Sequence, residues 1–271
     1  MLMSMSDQQQ AAKVFVGAFL ESTLQGKTEY NSLFENFNHG SDWLPPTLYT
    51  IDFANAGIDI LSDFDDDFNL STASVPGVSF SAKGFDQWTE DALPDKYGSS
   101  SSNNRMLTLT WSSNKYDDKQ NDNNGMWLGA WQESQFPVFK VDFDNSLCPI
   151  EIGDTLYVSL CSGNTGKDEE NISFQIQLTD RQGNTVSLPI DAFGGVPNPL
   201  QSSVYKPPFS LLVEASEPVL QAIGIQTDQF EGLSGDIVSM EWIFNENKNS
   251  ISHKKVEQKL FIGDLRLAKE Q

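Results

Sequence analysis

Ile172-Ser173-Phe174-Gln175-Ile176-Gln177-Leu178-Thr179 alternates apolar and polar residues without a slip. Side chains along a strand point to opposite faces with period two, so this octet reads as a half-buried strand with one face on a core and one on water. Val238, Met240, Trp242 and Phe244 keep the same rhythm, and Leu260-Phe261-Ile262-Gly263-Asp264-Leu265-Arg266-Leu267 closes the chain on another strand.

Working outward, candidate strands fall at 48–54, 77–84, 105–112, 125–132, 137–143, 154–161, 171–180, 184–191, 208–214, 219–227, 236–244 and 258–268. Polar stretches such as Gly98–Asn104, Tyr116–Asn124 and Asn245–Lys255 connect them. Asp180-Arg181-Gln182-Gly183-Asn184 reads as a hairpin turn, with Gly183 where a positive φ is needed. Many short strands with no helix between them imply an all-β fold, a jelly-roll β-sandwich.

The N-terminus differs. Residues 7–25 read as a helix, capped by Ser6 or Asp7 and stopped by Gly26, with Ala11, Val14, Phe15, Ala18, Phe19 and Leu24 on its apolar face. A shorter helix is expected from Thr28 to Phe37, and Leu44-Pro45-Pro46 breaks it. The chain therefore divides into a helical segment, 1–46, and a β-sandwich, 47–271. Two helices are too few for a core of their own and must dock on something. If they do not dock on the sandwich, an apolar stripe including Phe15 and Phe19 drives self-association.

The 271 residues include 38 acidic and 17 basic ones, a formal net charge of −21. Such a surface repels the phosphates of nucleic acid and an anionic membrane, which excludes both as expected partners. Neutral ligands and cations remain. No run of apolar residues is long enough to span a membrane. The first residues, Met1-Leu2-Met3-Ser4-Met5-Ser6, show no basic n-region or apolar h-region. A cytoplasmic place is the default expectation, and an extracellular or periplasmic one if the chain is part of a secreted protein. Cys148 and Cys161 read as reduced core residues, with a disulfide the alternative.

The run from Ala12 to Gly26, followed by Tyr30, Leu33-Phe34 and Asp42-Trp43-Leu44-Pro45, resembles the end of large bacterial α/β-hydrolases, where a last helix precedes a β-rich C-terminal region. The remainder, through Ile172–Thr179, Asp180–Gly183, Leu188-Pro189-Ile190 and Lys259–Leu267, resembles a galactose-binding-like jelly roll, a fold common among carbohydrate-binding modules. The hydrolase resemblance stops short of catalysis. A nucleophile elbow reads Gly-x-Ser-x-Gly, and the nearest string here is Gly232-Leu233-Ser234-Gly235-Asp236. No triad residue carries over, so no catalytic residue is assigned.

His39 follows a helix and His253 sits in a lysine-rich loop, neither in the setting of a Ser–His–Asp unit. The carboxylates of Asp63–Asp67 and of Asp117, Asp118 and Asp122 lack EF-hand spacing. The jelly-roll resemblance implies a structural Ca²⁺ held in part by Asp264; no other cofactor is expected. Trp127 and Trp131 share a strand face with Gly129 between them, which suits either a platform for stacking sugar rings or a place in the core. Gln175, Gln177 and Glu241 lie on polar strand faces, where they would hydrogen-bond a glycan or simply meet water.

These readings converge on a non-catalytic accessory or binding module with a neutral glycan as its expected ligand. The alternative is the C-terminal part of a serine esterase whose catalytic half is encoded separately, with that hydrolase domain as partner.

Overall fold

The structure, a computed structural model, describes residues 3–35, 37–47, 49–51, 53, 57–65, 69–94, 105–112, 136–164, 171–202, 215–244 and 257–269. One antiparallel sheet is built from β1 (Ile58–Ser62), β3 (Gln87–Ala92), β4 (Arg105–Ser112), β6 (Thr155–Ser162), β11 (Gln221–Gln226) and β13 (Glu257–Ala268). Its order is β11-β6-β13-β4-β3, with β1 also on β13. The other sheet takes β2 (Val78–Lys83), β5 (Val138–Phe143), β7 (Gln175–Asp180), β8 (Thr185–Pro189) and β12 (Ile237–Ile243), in the order β2-β5-β12-β7-β8. A small pair joins β9 (Leu200–Ser202) to β10 (Ala215–Glu217). The chain passes repeatedly from one sheet to the other, so the fold is a β-sandwich, as the alternation implies.

The two inner faces meet over one core. Leu107, Leu109, Val158, Leu160 and Ile262 from the six-stranded sheet oppose Phe139, Val141, Ile176, Leu178 and Trp242 from the five-stranded one, all buried. Each such side chain contributes about 1.5–3 kcal/mol by leaving water. Aromatic packing links the layers where Phe244, just after β12, lies 4.6 Å from Trp111 of β4; within the five-stranded sheet, Trp242 lies 5.2 Å from both Phe139 and Phe174.

Two β-bulges alter the inward pattern. In β12 the register shifts between Ile237 and Ser239, so Ile237 and Met240 are both core while Val238 stays half-buried. In β13 the shift at Gly263 lets Leu260 and Ile262 and then Leu265 and Leu267 face inward. An extra residue in one strand re-aims everything after it.

Helix α1 (Met5–Gln25) starts two residues before the expected span. Ser4 caps it, accepting a 3.2 Å hydrogen bond from the Asp7 amide, and Gly26 ends it with φ 70°. The expected second helix is a 3₁₀ turn, Thr28–Tyr30, then α2 (Asn31–Glu35) and a second 3₁₀ turn, Phe37–Gly40. Contrary to expectation, this segment has a small core of its own. Ala18, Leu33 and Leu44 are buried in it, and Val14, Phe15, Phe34 and Tyr49 pack around them. Phe34 stacks on Phe53 at 5.3 Å, and the Phe53 carbonyl accepts a 2.7 Å hydrogen bond from Arg266 of β13. Phe15 therefore points inward, while Val16, Phe19, Leu20 and Leu24 remain exposed.

Strands β1 and β3 lie outside every stretch read as strand, and residues 49–51 and 53 are not strand. The segments 125–132 and 208–214 lie outside the described residues. No helix among the described residues is long and apolar enough to cross a membrane.

Candidate functional site

The outward face of the five-stranded sheet brings together three residues singled out above. Glu241 of β12 lies opposite Gln177 of β7, and Ile243 lies opposite Gln175. The register carries the first pair across the whole sheet: Ser81 faces Lys140, Lys140 faces Glu241, Glu241 faces Gln177 and Gln177 faces Ser187. At about 4.8 Å between strands, this row extends roughly 19 Å. One step along lies a second row, Ser79, Asp142, Ser239, Thr179 and Thr185.

The row is solvated and its charges are offset. Lys140 is 34% exposed and Glu241 26%, with Lys140 Nζ 3.7 Å from Glu241 Oε1 and 2.8 Å from Asp142 Oδ1. The Asp142 hydrogen bond, with the Asp142 and Glu241 charges behind it, holds the Lys140 ammonium above its usual pKa. Ser187 Oγ donates to Gln177 Oε1 at 3.2 Å. Donors and acceptors alternate along the row, so a polyhydroxyl ligand laid across it meets both. Lys140, Asp142, Ser81 and Ser187 were missed by the sequence reading. Val138–Phe143 alternates in the sequence, which marks Lys140 and Asp142 as outward, but their neighbours across the sheet are set only by strand order.

The remaining candidates are scattered. Trp127 and Trp131 lie outside the described residues, as do His253, Asp117, Asp118 and Asp122. His39 Nδ1 donates to the Ser32 carbonyl of α2 at 3.1 Å, a structural contact at the end of that helix. Asp63 serves its own loop, its Oδ1 accepting from the Asp65 amide, while Asp65 Oδ1 accepts from the Arg105 amide at the start of β4. Cys148 and Cys161 are buried and free, and burial pushes the Cys161 thiol up to about 11.

Asp264 was expected to help hold Ca²⁺. Its Oδ2 accepts from Arg266 Nε at 2.8 Å and also from Nη2, and its buried Oδ1 has no hydrogen-bond partner. Ca²⁺ takes six to eight oxygens. Among the described residues no three His, Cys, Asp or Glu side chains gather, and a guanidinium already neutralises this carboxylate. The described donor set does not fit a Ca²⁺ site.

No family model matches the chain, and no curated protein does. Solved structures match distantly. An exo-β-agarase aligns with a TM-score of 0.41 at 11% identity, covering 79% of this chain and 25% of that one. A second agarase gives 0.37 at 10% identity, with 79% and 25% covered. The glycoside hydrolase domain of Endo-D from Streptococcus pneumoniae R6 gives 0.26 at 9% identity, with 72% and 22% covered. This chain spans about a quarter of the length of those chains. At these scores the likeness carries no argument about function, and none of the three descriptions is of an α/β-hydrolase.

Proposed function

We propose that this protein is a non-catalytic module that binds a neutral glycan on the outward face of its five-stranded sheet. The observation behind this reading is the row Ser81–Lys140–Glu241–Gln177–Ser187, half-exposed, charge-offset and continuous across five strands. Hydroxyl groups of a sugar chain donate and accept along such a row without needing a net charge. The overall charge of −21 disfavours a polyanionic glycan. A stacking role for Trp127 and Trp131 rests on the sequence alone.

The test is an array of neutral and sulfated oligosaccharides, followed by calorimetry on any glycan retained. Wild type should retain a neutral glycan. The Gln177→Ala, Glu241→Gln double variant should bind it at least tenfold more weakly, as expected for losing two or more hydrogen bonds of about 0.5–1.5 kcal/mol each. An array on which only sulfated glycans are retained, or unchanged affinity in a variant with wild-type circular dichroism, would overturn the reading.

A further inference from the structure

A hollow lies on the six-stranded sheet, at its end strand β11. Ile223 and Ile225 of this strand are buried in the core, so Ala222 and Gly224 face outward, opposite Ser159 and Tyr157 of β6. Two small residues two positions apart on one strand face leave a depression that larger side chains would fill. A Cβ added at Gly224 would already lie 3.1 Å from the Tyr157 ring.

Aromatic and aliphatic groups from two other parts of the chain wall it. Phe37 comes from the N-terminal segment, Ile51 from the chain just after it, and Phe193 from the connection between β8 and β9. Phe193 is held in place, stacked on Phe230 at 5.8 Å with 13° between the rings. The turn after it needs glycine, because Gly194 and Gly195 have φ of 108° and 75°. The volume is about 100 Å³.

The lining selects a ligand class. None of the described lining residues is charged, and the Asp191 carboxylate lies close by, its Oδ1 3.0 Å from where a Cβ on Gly195 would sit. An anionic ligand would lose its hydration there and gain no partner. The polar side chain in the lining is Gln221, and a carboxamide both donates and accepts. An apolar cavity of about 150 Å³ holds benzene, so this smaller, open space seats one face or edge of a single ring, with the rest of the ring in solvent, and no chain of rings. Ring faces on the walls and one amide at the edge suit a compact, uncharged ring with an apolar face and hydroxyls on its rim.

We propose that this hollow is a single-ring site for a neutral pyranose, with the N-terminal segment forming part of its wall. It is independent of the sheet-face reading, since it lies on the other sheet. The ring is either a free monosaccharide or the end of a longer glycan.

Saturation-transfer NMR on the full chain tests it, with D-galactose, D-glucose, D-xylose and N-acetyl-D-glucosamine as probes. Their methyl glycosides separate free sugar from chain end, and D-glucuronate is the charged control. At least one neutral sugar should receive saturation and glucuronate should not. Ala222→Trp, which fills the hollow, should abolish the signal, and Gln221→Ala should weaken binding about tenfold. Arg181→Ala, an exposed side chain outside both candidate sites, should leave it unchanged. Failure of every neutral ring, equal binding of glucuronate, or loss of the signal on Arg181→Ala would overturn the site. So would survival of the signal in Ala222→Trp protein that melts like wild type. If Ala222→Trp does not fold, unchanged binding in Gln221→Ala decides against it.

Discussion

The two outward faces of this sandwich obey one alternation and end in opposite surroundings. On the five-stranded sheet, Lys140, Glu241, Gln177 and Thr179 point away from the core and stay half-exposed. On the six-stranded sheet, the outward Met106, Thr108, Thr110, Ser159, Cys161 and Phe261 are all under 8% exposed. The compositions differ accordingly. The wet face carries long charged and amide side chains that reach solvent. The dry face carries small hydroxyls, a thiol, a thioether and a phenyl ring, which tolerate burial at modest cost. Polarity of a strand face is therefore a poor guide to a binding surface. What matters is whether its groups are left with hydrogen-bonding capacity facing water, and the five-stranded sheet meets that condition.

The largest expected effect breaks the dry face. Met106 is 1% exposed yet outside the main core cluster. Met106→Ala should cost about 2–5 kcal/mol, as for other buried large-to-small changes, read as the shift in urea midpoint at constant slope. A midpoint within error of wild type would mean that this face is solvated like the other.

An intermediate effect sits where β7 turns into β8. Asp180 accepts hydrogen bonds from the Gln182 and Asn184 amides at 2.9 and 2.8 Å, from Asn184 Nδ2 at 2.8 Å and from the Ser234 amide at 3.0 Å. Burial raises its pKa, but the bonds from Asn184, Ser234 and Gln182 outweigh burial and hold the carboxyl below its usual range. A carboxyl depressed in the folded state stabilises the fold fully above its unfolded pKa of about 3.9, and that stabilisation is lost as pH falls through the folded value. The melting temperature of wild type should therefore drop more steeply than that of Asp180→Asn between about pH 5 and about pH 2. Parallel acid limbs would remove Asp180 from the account.

The smallest effect belongs to the wet face. Gln177→Ala and Glu241→Gln should each change stability by no more than about 0.5 kcal/mol, as surface substitutions do, in the same urea titration. A loss above that would show that the row holds the sheet together, and its open hydrogen-bonding capacity would no longer argue for a ligand.

Much of this fold was legible in the chain. Residues 77–84, 105–112, 137–143, 154–161, 184–191, 219–227, 236–244 and 258–268 match observed strands to within a residue or two. β4, β5, β6, β12 and β13 lie inside their sheets; β2, β8 and β11 are end strands, yet each still turns apolar residues to the core, Val78 and Phe80, Val186 and Leu188, and Ile223 and Ile225. The missed strand β3, Gln87-Trp88-Thr89-Glu90-Asp91-Ala92, is an edge with few apolar residues, and its pairing comes from β4. Within the candidate site, Gln175, Gln177 and Glu241 were read as outward from the alternation, and they are half-exposed. Lys140 was not read into it, because its neighbours Ser81 and Glu241 come from strands remote in sequence; Ser187 sits one hairpin from Gln177, and the Asp180–Asn184 turn would have placed it.

The sequence by itself determined that the chain is built of strands, that Gly183 and Gly26 stand where the backbone takes positive φ, and which residues alternate. Those are local matters, decided by side-chain period and steric freedom. Only the tertiary structure decided strand order, the bulges at Val238 and Gly263 that re-aim their strands, and which outward face is covered. The helical segment was likewise given a core of its own by contacts that its period does not specify. Alternation says that a strand has two faces; burial of either one depends on what the rest of the chain lays against it.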